Sequence, residues 1–119
     1  MTKQALIELR DSVAAGKEHY LVGKIAEVFG PFDEPERGKS WLAYNAWQGS
    51  LDAAVAFLEA VLPGWVYVVA NTSPYKDDHS ICAVFPRSED PEKSFEAEAD
   101  TPARALLLAT LDALIERAE

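Results

Sequence analysis

Apolar positions recur at three- and four-residue steps in four stretches of the chain and run in short β-branched or alternating blocks in three others. The clearest helical stretch is SLDAAVAFLEAVLPGW, Ser50–Trp65. Leu51, Val55, Leu58 and Leu62 share one face, and Ala54 and Val61 widen it. Ser50 is a suitable N-cap, because its hydroxyl can accept a bond from an N–H that the first turn leaves unmet. Asp52 lies in that first turn, where the helix dipole favours negative charge. Pro63-Gly64 ends the helix, since proline cannot continue the hydrogen-bond ladder and glycine tolerates the left-handed turn.

Two amphipathic helices precede it. Thr2–Ala14 aligns Leu6, Leu9 and Val13 and stops at Ala15-Gly16; Tyr20–Phe29 aligns Leu21, Ile25 and Phe29, with Val28 beside them, and stops at Gly30-Pro31. Phe32–Lys39 reads as a charged loop. The segment SWLAYNAWQG then places Trp41, Tyr44 and Trp47 at three-residue spacing, so that one or two helical turns would align them. Trp65–Ala70 and Ser80–Phe85 are strands, each apolar on both parities, which predicts cover on both faces. Asn71–His79 and Pro86–Lys93 are polar connections. Ser94–Ala99 alternates, with Phe95, Ala97 and Ala99 inward and Glu96 and Glu98 toward water, as suits an edge strand protected by charge. Thr101-Pro102 opens the last helix, Ala103–Arg117, with N-cap threonine and proline at the first helical position. Leu107, Leu111 and Leu114 form its stripe, and small Ala103, Ala105, Ala109 and Ala113 allow close approach to a sheet.

The order α-α-(α)-α-β-β-β-α with short connections predicts an α+β fold: an antiparallel meander of about three strands packed between helices, of α/β/α sandwich type. Two strands apolar on both parities require helices on both sides of the sheet, or one face hidden in an oligomer. At 119 residues the chain is one domain. Residues 1–49 form its N-terminal helical part and 50–119 its helix–three strands–helix core.

Charge narrows the partners. The net charge is −9, and residues 50–119 carry thirteen acids against five Lys/Arg. Such a surface repels nucleic acid and anionic membranes, so direct nucleic-acid binding is not expected. Its plain meaning is solubility; its sharper meaning is competition with DNA for a basic partner. The order of residues 50–117 resembles that of double-stranded-RNA-binding domains, but that module needs basic residues where its last helix begins. Here the position reads Asp100-Thr101-Pro102-Ala103-Arg104, and RNA binding is rejected. No apolar run reaches the roughly 18–20 residues of a membrane span. The amphipathic N-terminus lacks the apolar core of a signal peptide, which leaves a cytoplasmic location as the expectation.

Candidate chemistry is sparse. Cys82 is the single thiol, and mid-strand it is expected to be an inert small hydrophobe. His19 and His79 are far apart and lack zinc-site spacing. Asp77-Asp78-His79 in the 71–79 loop offers cation ligands, and Ser88, Glu89, Asp90 and Glu92 a weaker set without EF-hand spacing. A solvated loop explains both. Glu96 and Glu98 share a strand face, which a solvated surface also explains. No phosphate-binding glycine loop or nucleophile elbow is present, no catalytic set assembles, and no cofactor is implied. Trp41, Tyr44 and Trp47 remain as the candidate contact residues: aromatic faces stack on ligands or partners, although packing the N-terminal helices on the sheet would use them equally well.

Three segments resemble the phage ABA-sandwich family, small proteins of phages and prophages. IAEVFG at Ile25–Gly30 is similar to that family's second helix ending in glycine. SLDAAVAFLEAVLPGW is similar to its central helix running into Pro-Gly-Trp. AEADTPARALLLATLDAL is similar to its last strand turning through Thr-Pro into an alanine- and leucine-rich helix. The resemblance implies helices against a small antiparallel sheet and a phage or prophage origin, hence the cytoplasm of a host cell. It brings no catalytic residues. Three functions are therefore expected: an accessory protein acting by protein contact or self-association, an acidic inhibitor of a DNA-binding host protein, or a small-molecule or metal-binding domain using the 71–79 loop.

Overall fold

The fold turns on a helix that keeps only a narrow, half-buried side toward solvent. The computed structural model describes residues 3–16, 18–32, 38–71, 80–86 and 94–118; the side chains of residues 18–20 and 71 lie outside that description. The element order is α1 (Lys3–Ala15), α2 (Glu18–Phe29), α3 (Lys39–Trp47), α4 (Leu51–Val61), β1 (Trp65–Asn71), β2 (Ser80–Pro86), β3 (Phe95–Ala99) and α5 (Pro102–Arg117). This is the expected α+β class and order, with the aromatic segment resolved as the regular helix α3.

The caps read from the sequence are present. Ser50 Oγ accepts from the Ala53 N–H at 3.2 Å, and Thr101 Oγ1 accepts from the Arg104 N–H at 3.1 Å. Gly64 takes φ +85 between α4 and β1, a left-handed conformation that a β-carbon would strain.

The strands form one antiparallel sheet in the order β1-β2-β3. Val69 pairs with Cys82 and Cys82 with Ala97; Val68 pairs with Ala83 and Ala83 with Glu96. Paired residues share a face, so the register assigns Trp65, Tyr67, Val69, Ser80, Cys82, Val84, Phe95, Ala97 and Ala99 to one side. That side receives α5. Ser80, Cys82, Val84 and Ala97 are buried there, while Glu96 and Glu98 are exposed on the other side, as the alternation of β3 predicts.

The leucine stripe suggests that α5 buries one face, yet the structure buries most of its circumference and leaves a strip of Arg104, Asp112 and Ile115 half-buried. Leu106, Leu107 and Leu111 are sealed, and so are Ala103, Ala105, Ala109 and Ala113. The sheet covers one side of the helix, and α1, α3 and α4 cover the others. A helix with so wide an apolar surface belongs in the centre of a core. Thr110 is also fully buried; its hydroxyl donates to the Leu106 carbonyl at 2.8 Å, which satisfies it within the helix.

The two sheet faces are packed unequally. On the face away from α5, Val66, Ile81, Ala83 and Phe85 are half-buried and Val68 and Ala70 are exposed; none of the six is buried. Apolar residues on both parities predict cover on both sides. The described helices pack instead on the back of α5, which offers them a second apolar surface. The other way of hiding this face, contact with another chain, stays open.

Substituting Ser50 or Thr101 by alanine is expected to cost about 1 kcal/mol each. The two caps belong to different helices, so the double variant should lose close to the sum, measured by urea denaturation.

Candidate functional site

Trp41, Tyr44 and Trp47 lie together as the spacing predicts. Helix α3 aligns them, and the ring centroids are 6.5 Å apart for Trp41–Tyr44 and 6.2 Å for Tyr44–Trp47, the second pair stacked. Phe32, which the sequence places at the start of a charged loop, is a further member. Its ring meets Trp41 edge-on at 4.9 Å and Tyr44 at 6.2 Å. The remainder of that loop, residues 33–37, lies outside the described residues.

The ladder is not equally accessible along its length. Trp47 is only 5% exposed, while Trp41 and Tyr44 are half-buried. Arg104 of α5 closes over the Trp47 ring, its guanidinium carbon 4.6 Å from the centroid. The same side chain donates through Nε to the Trp47 carbonyl at 2.6 Å and through a terminal nitrogen to Asp100 at 3.1 Å. Arg104 thus ties the C-terminal end of α3 to the start of α5, with the cation–π contact adding to the hydrogen bonds. Trp47 is a packing residue, and the accessible part of the ladder is Trp41 and Tyr44. The Tyr44 hydroxyl accepts from Gln48 Nε2 at 2.9 Å. The indole N–H groups of Trp41 and Trp47 are buried, with no hydrogen-bond partner among the described residues. Nothing in the sequence marks Arg104 for this role, because its partner is a backbone carbonyl 57 residues away.

A shallow groove of about 380 Å³ runs between the end of α1, the end of β3 and the first half of α5. Arg10, Arg104, Glu98 and Asp100 line it with charges of both signs. Arg10 is paired with Asp112 at 2.9 Å and Arg104 with Asp100, so neither guanidinium is held ready for an outside anion.

Cys82 is fully buried and its thiol donates to the Pro102 carbonyl at 3.3 Å. Burial pushes the thiol up to about 11, away from the thiolate that nucleophilic chemistry requires. The inert reading of this residue agrees with its surroundings.

The acids with described side chains do not gather on one element. They are spread over α1 (Glu8, Asp11), α2 (Glu27), α4 (Asp52, Glu59), β3 (Glu96, Glu98), Asp100 and α5 (Asp112, Glu116). Glu8, Asp100 and Asp112 are each paired with a basic side chain. Asp77, Asp78 and His79, like Ser88, Glu89, Asp90 and Glu92, lie outside the described residues, as does the side chain of His19. Among the described residues, no three His, Cys, Asp or Glu side chains stand close enough to hold a metal ion. No described helix is long and apolar enough to cross a membrane.

The sheet offers an accessible apolar surface among the described residues. Val66, Val68, Ala70, Ile81, Ala83 and Phe85 make its outer face, and β1 and β3 are its two edges. The sequence signal for this surface is the apolar character of both parities in β1 and β2, the same signal that raises the expectation of helices on both sides.

A buried thiol with a raised pKa makes stability depend on pH in one direction. The unfolded thiol loses its proton near its ordinary value of 9.0 while the folded one keeps it to about 11. The stabilisation is complete below the unfolded value and falls by up to ~1.4 kcal/mol per pH unit between the two. Cys82→Ala should lack that component. Urea denaturation of both proteins at pH 8 and pH 10.5 should show the wild type losing more stability than the variant.

No family model matches the chain, and no curated protein or solved structure matches it either.

Proposed function

We propose that this is a non-enzymatic accessory protein that works by protein–protein contact through its β-sheet. The observation that carries the reading is the outer sheet face: six apolar side chains on two neighbouring strands, none of them buried by the described helices. Apolar surface of this kind, contiguous and bordered by Glu96 and Glu98, is characteristic of interaction sites. The accessible aromatics Trp41 and Tyr44 form a smaller, separate surface. A phage or prophage origin and a host-cell location accompany this proposal through the resemblance of the helical and Thr-Pro segments.

The acidic-inhibitor reading needs a gathered face of carboxylates. The described acids are dispersed, and part of them already serves internal ion pairs, so that reading gains no support from the geometry. The 71–79 loop reading keeps only its sequence motif.

The test is affinity capture from lysate of the source cell, with tagged wild type, Ile81→Lys on the outer face and Asp52→Asn on α4, each verified as folded by circular dichroism. A partner held by wild type and by Asp52→Asn through high salt, and lost from Ile81→Lys, is the expected result, because apolar contact is insensitive to screening. Identical captures by all three proteins would contradict the proposal.

A further inference from the structure

Two of the four large apolar side chains left exposed among the described residues are neighbours on β1: Tyr67 at 40% and Val68 at 53%. Successive strand residues point to opposite faces. The register confirms this, since Tyr67 pairs with Val84 on the α5 side and Val68 with Ala83 on the outer side. A partner laid on either face would cover one of them and leave the other in water. What the two share is the edge. From Trp65 to Ala70, β1 has no buried side chain, and α5 lies mainly over β2 and β3.

The two edges of the sheet differ in kind. At β3, Glu96 and Glu98 alternate with the inward residues, the usual protection of an edge against pairing with another chain. At β1 the sequence is Trp-Val-Tyr-Val-Val-Ala-Asn, seven residues with no charge and no proline. One row of its N–H and C=O groups bonds to β2, and the alternate row faces outward with no strand beside it among the described residues.

From these observations we infer that β1 pairs antiparallel with β1 of a second copy of this chain, forming a six-stranded sheet across a two-fold axis. The inference rests on the reading that the sheet is a contact surface, and it names the occupant of its open edge. Full overlap of the strand sets the register. Val68 lies opposite its own copy on the axis, Val66 opposite Ala70, Tyr67 opposite Val69, and Trp65 opposite Asn71. Both exposed side chains gain a neighbour of suitable shape, and aromatic–β-branched pairs such as Tyr67–Val69 are favourable across strands. Roughly six to eight backbone hydrogen bonds would close the edge.

Charge selects this geometry over the others open to two copies of one acidic chain. Each carries a net −9, so contact through acid-bearing surface is repelled. Pairing through β1 joins the copies along a neutral strand. It also sends Glu96 and Glu98 of the two copies to opposite rims, five strand spacings or about 24 Å apart. That separation is well beyond the screening length of about 8 Å at physiological salt. The outer apolar face doubles in width and stays open, so a second protein can still dock on it.

The experiment is sedimentation equilibrium over a concentration series into the millimolar range, because edge pairing buries less than the roughly 1,600 Å² of a standard interface. The wild type is expected to approach twice the 13.1 kDa chain mass. Tyr67→Glu, on the α5 side of the edge, should weaken association at least tenfold, whereas Ile81→Lys, in the middle strand, should leave it unchanged. Val68→Cys should form a disulfide-linked dimer under mild oxidation, because cross-strand partners on the axis lie within disulfide reach, and Glu96→Cys should not. A wild type that stays monomeric throughout, or a dimer as strong in Tyr67→Glu as in wild type, overturns the inference. If the protein is monomeric but Ile81→Lys still abolishes partner capture, the pairing fails and the contact reading stands. If it dimerises through β1 but its captures are indifferent to Ile81→Lys, the pairing stands and the contact reading of the outer face fails.

Discussion

The burial of α5 over most of its circumference is the constraint from which the rest of the architecture follows. A helix that carries Leu106, Leu107 and Leu111 together with four sealed alanines has little to give to water beyond the half-buried strip of Arg104, Asp112 and Ile115. Fully burying each leucine contributes roughly 1.5–3 kcal/mol, and truncating one in a tight core costs about 2–5 kcal/mol. The alanines matter for a different reason. Their small size lets neighbouring elements come close to the helix, on which β2, β3, α1, α3 and α4 all pack. The Thr101 cap and Pro102 start this helix directly after β3, so the chain reverses onto the sheet without a long loop. Arg104 then fastens its first turns to the end of α3.

One consequence is that the helical layer is spent on α5, and the sheet is served on one face only. A three-stranded sheet so covered keeps an apolar outer surface and two edges with no further strand beside them among the described residues. The edges are unlike: β3 is guarded by carboxylates and β1 is neutral. Free energy and function meet at this asymmetry. The fold is stable because its core lies between sheet and helices, and what it leaves uncovered is the surface that the proposed contact would use. The aromatic ladder of Phe32, Trp41, Tyr44 and Trp47 is in large part a device for holding α3 in place, with its inner end clamped under Arg104.

Much of this is legible in the residues. The caps at Ser50 and Thr101, the stop at Pro63-Gly64, the alternation of β3 and the burial of Cys82 all depend on neighbours a few positions away, and local chemistry decides them. The element order and fold class follow from the same signals. The burial of α5 over most of its circumference is only half visible: a leucine stripe flanked by alanines reads the same whether one face or nearly every face is covered. The strands pose the converse difficulty. Apolar residues on both parities report what a strand would avoid exposing, and they do not say whether a helix or another chain supplies the cover. The roles of Phe32 and Arg104 escape the sequence because they arise from partners brought close only by the fold, an indole ring and a backbone carbonyl distant along the chain.

The architecture stands most directly on α5 as the centre of a single cooperative core, and native-state amide hydrogen exchange reads that property residue by residue. The backbone amides from Leu106 to Leu111 should exchange only through global unfolding, with a protection free energy equal to the stability from denaturant titration. Exchange of those amides through a smaller opening, with the sheet or the outer helices still protected, would show that α5 can leave the core and would contradict its central role.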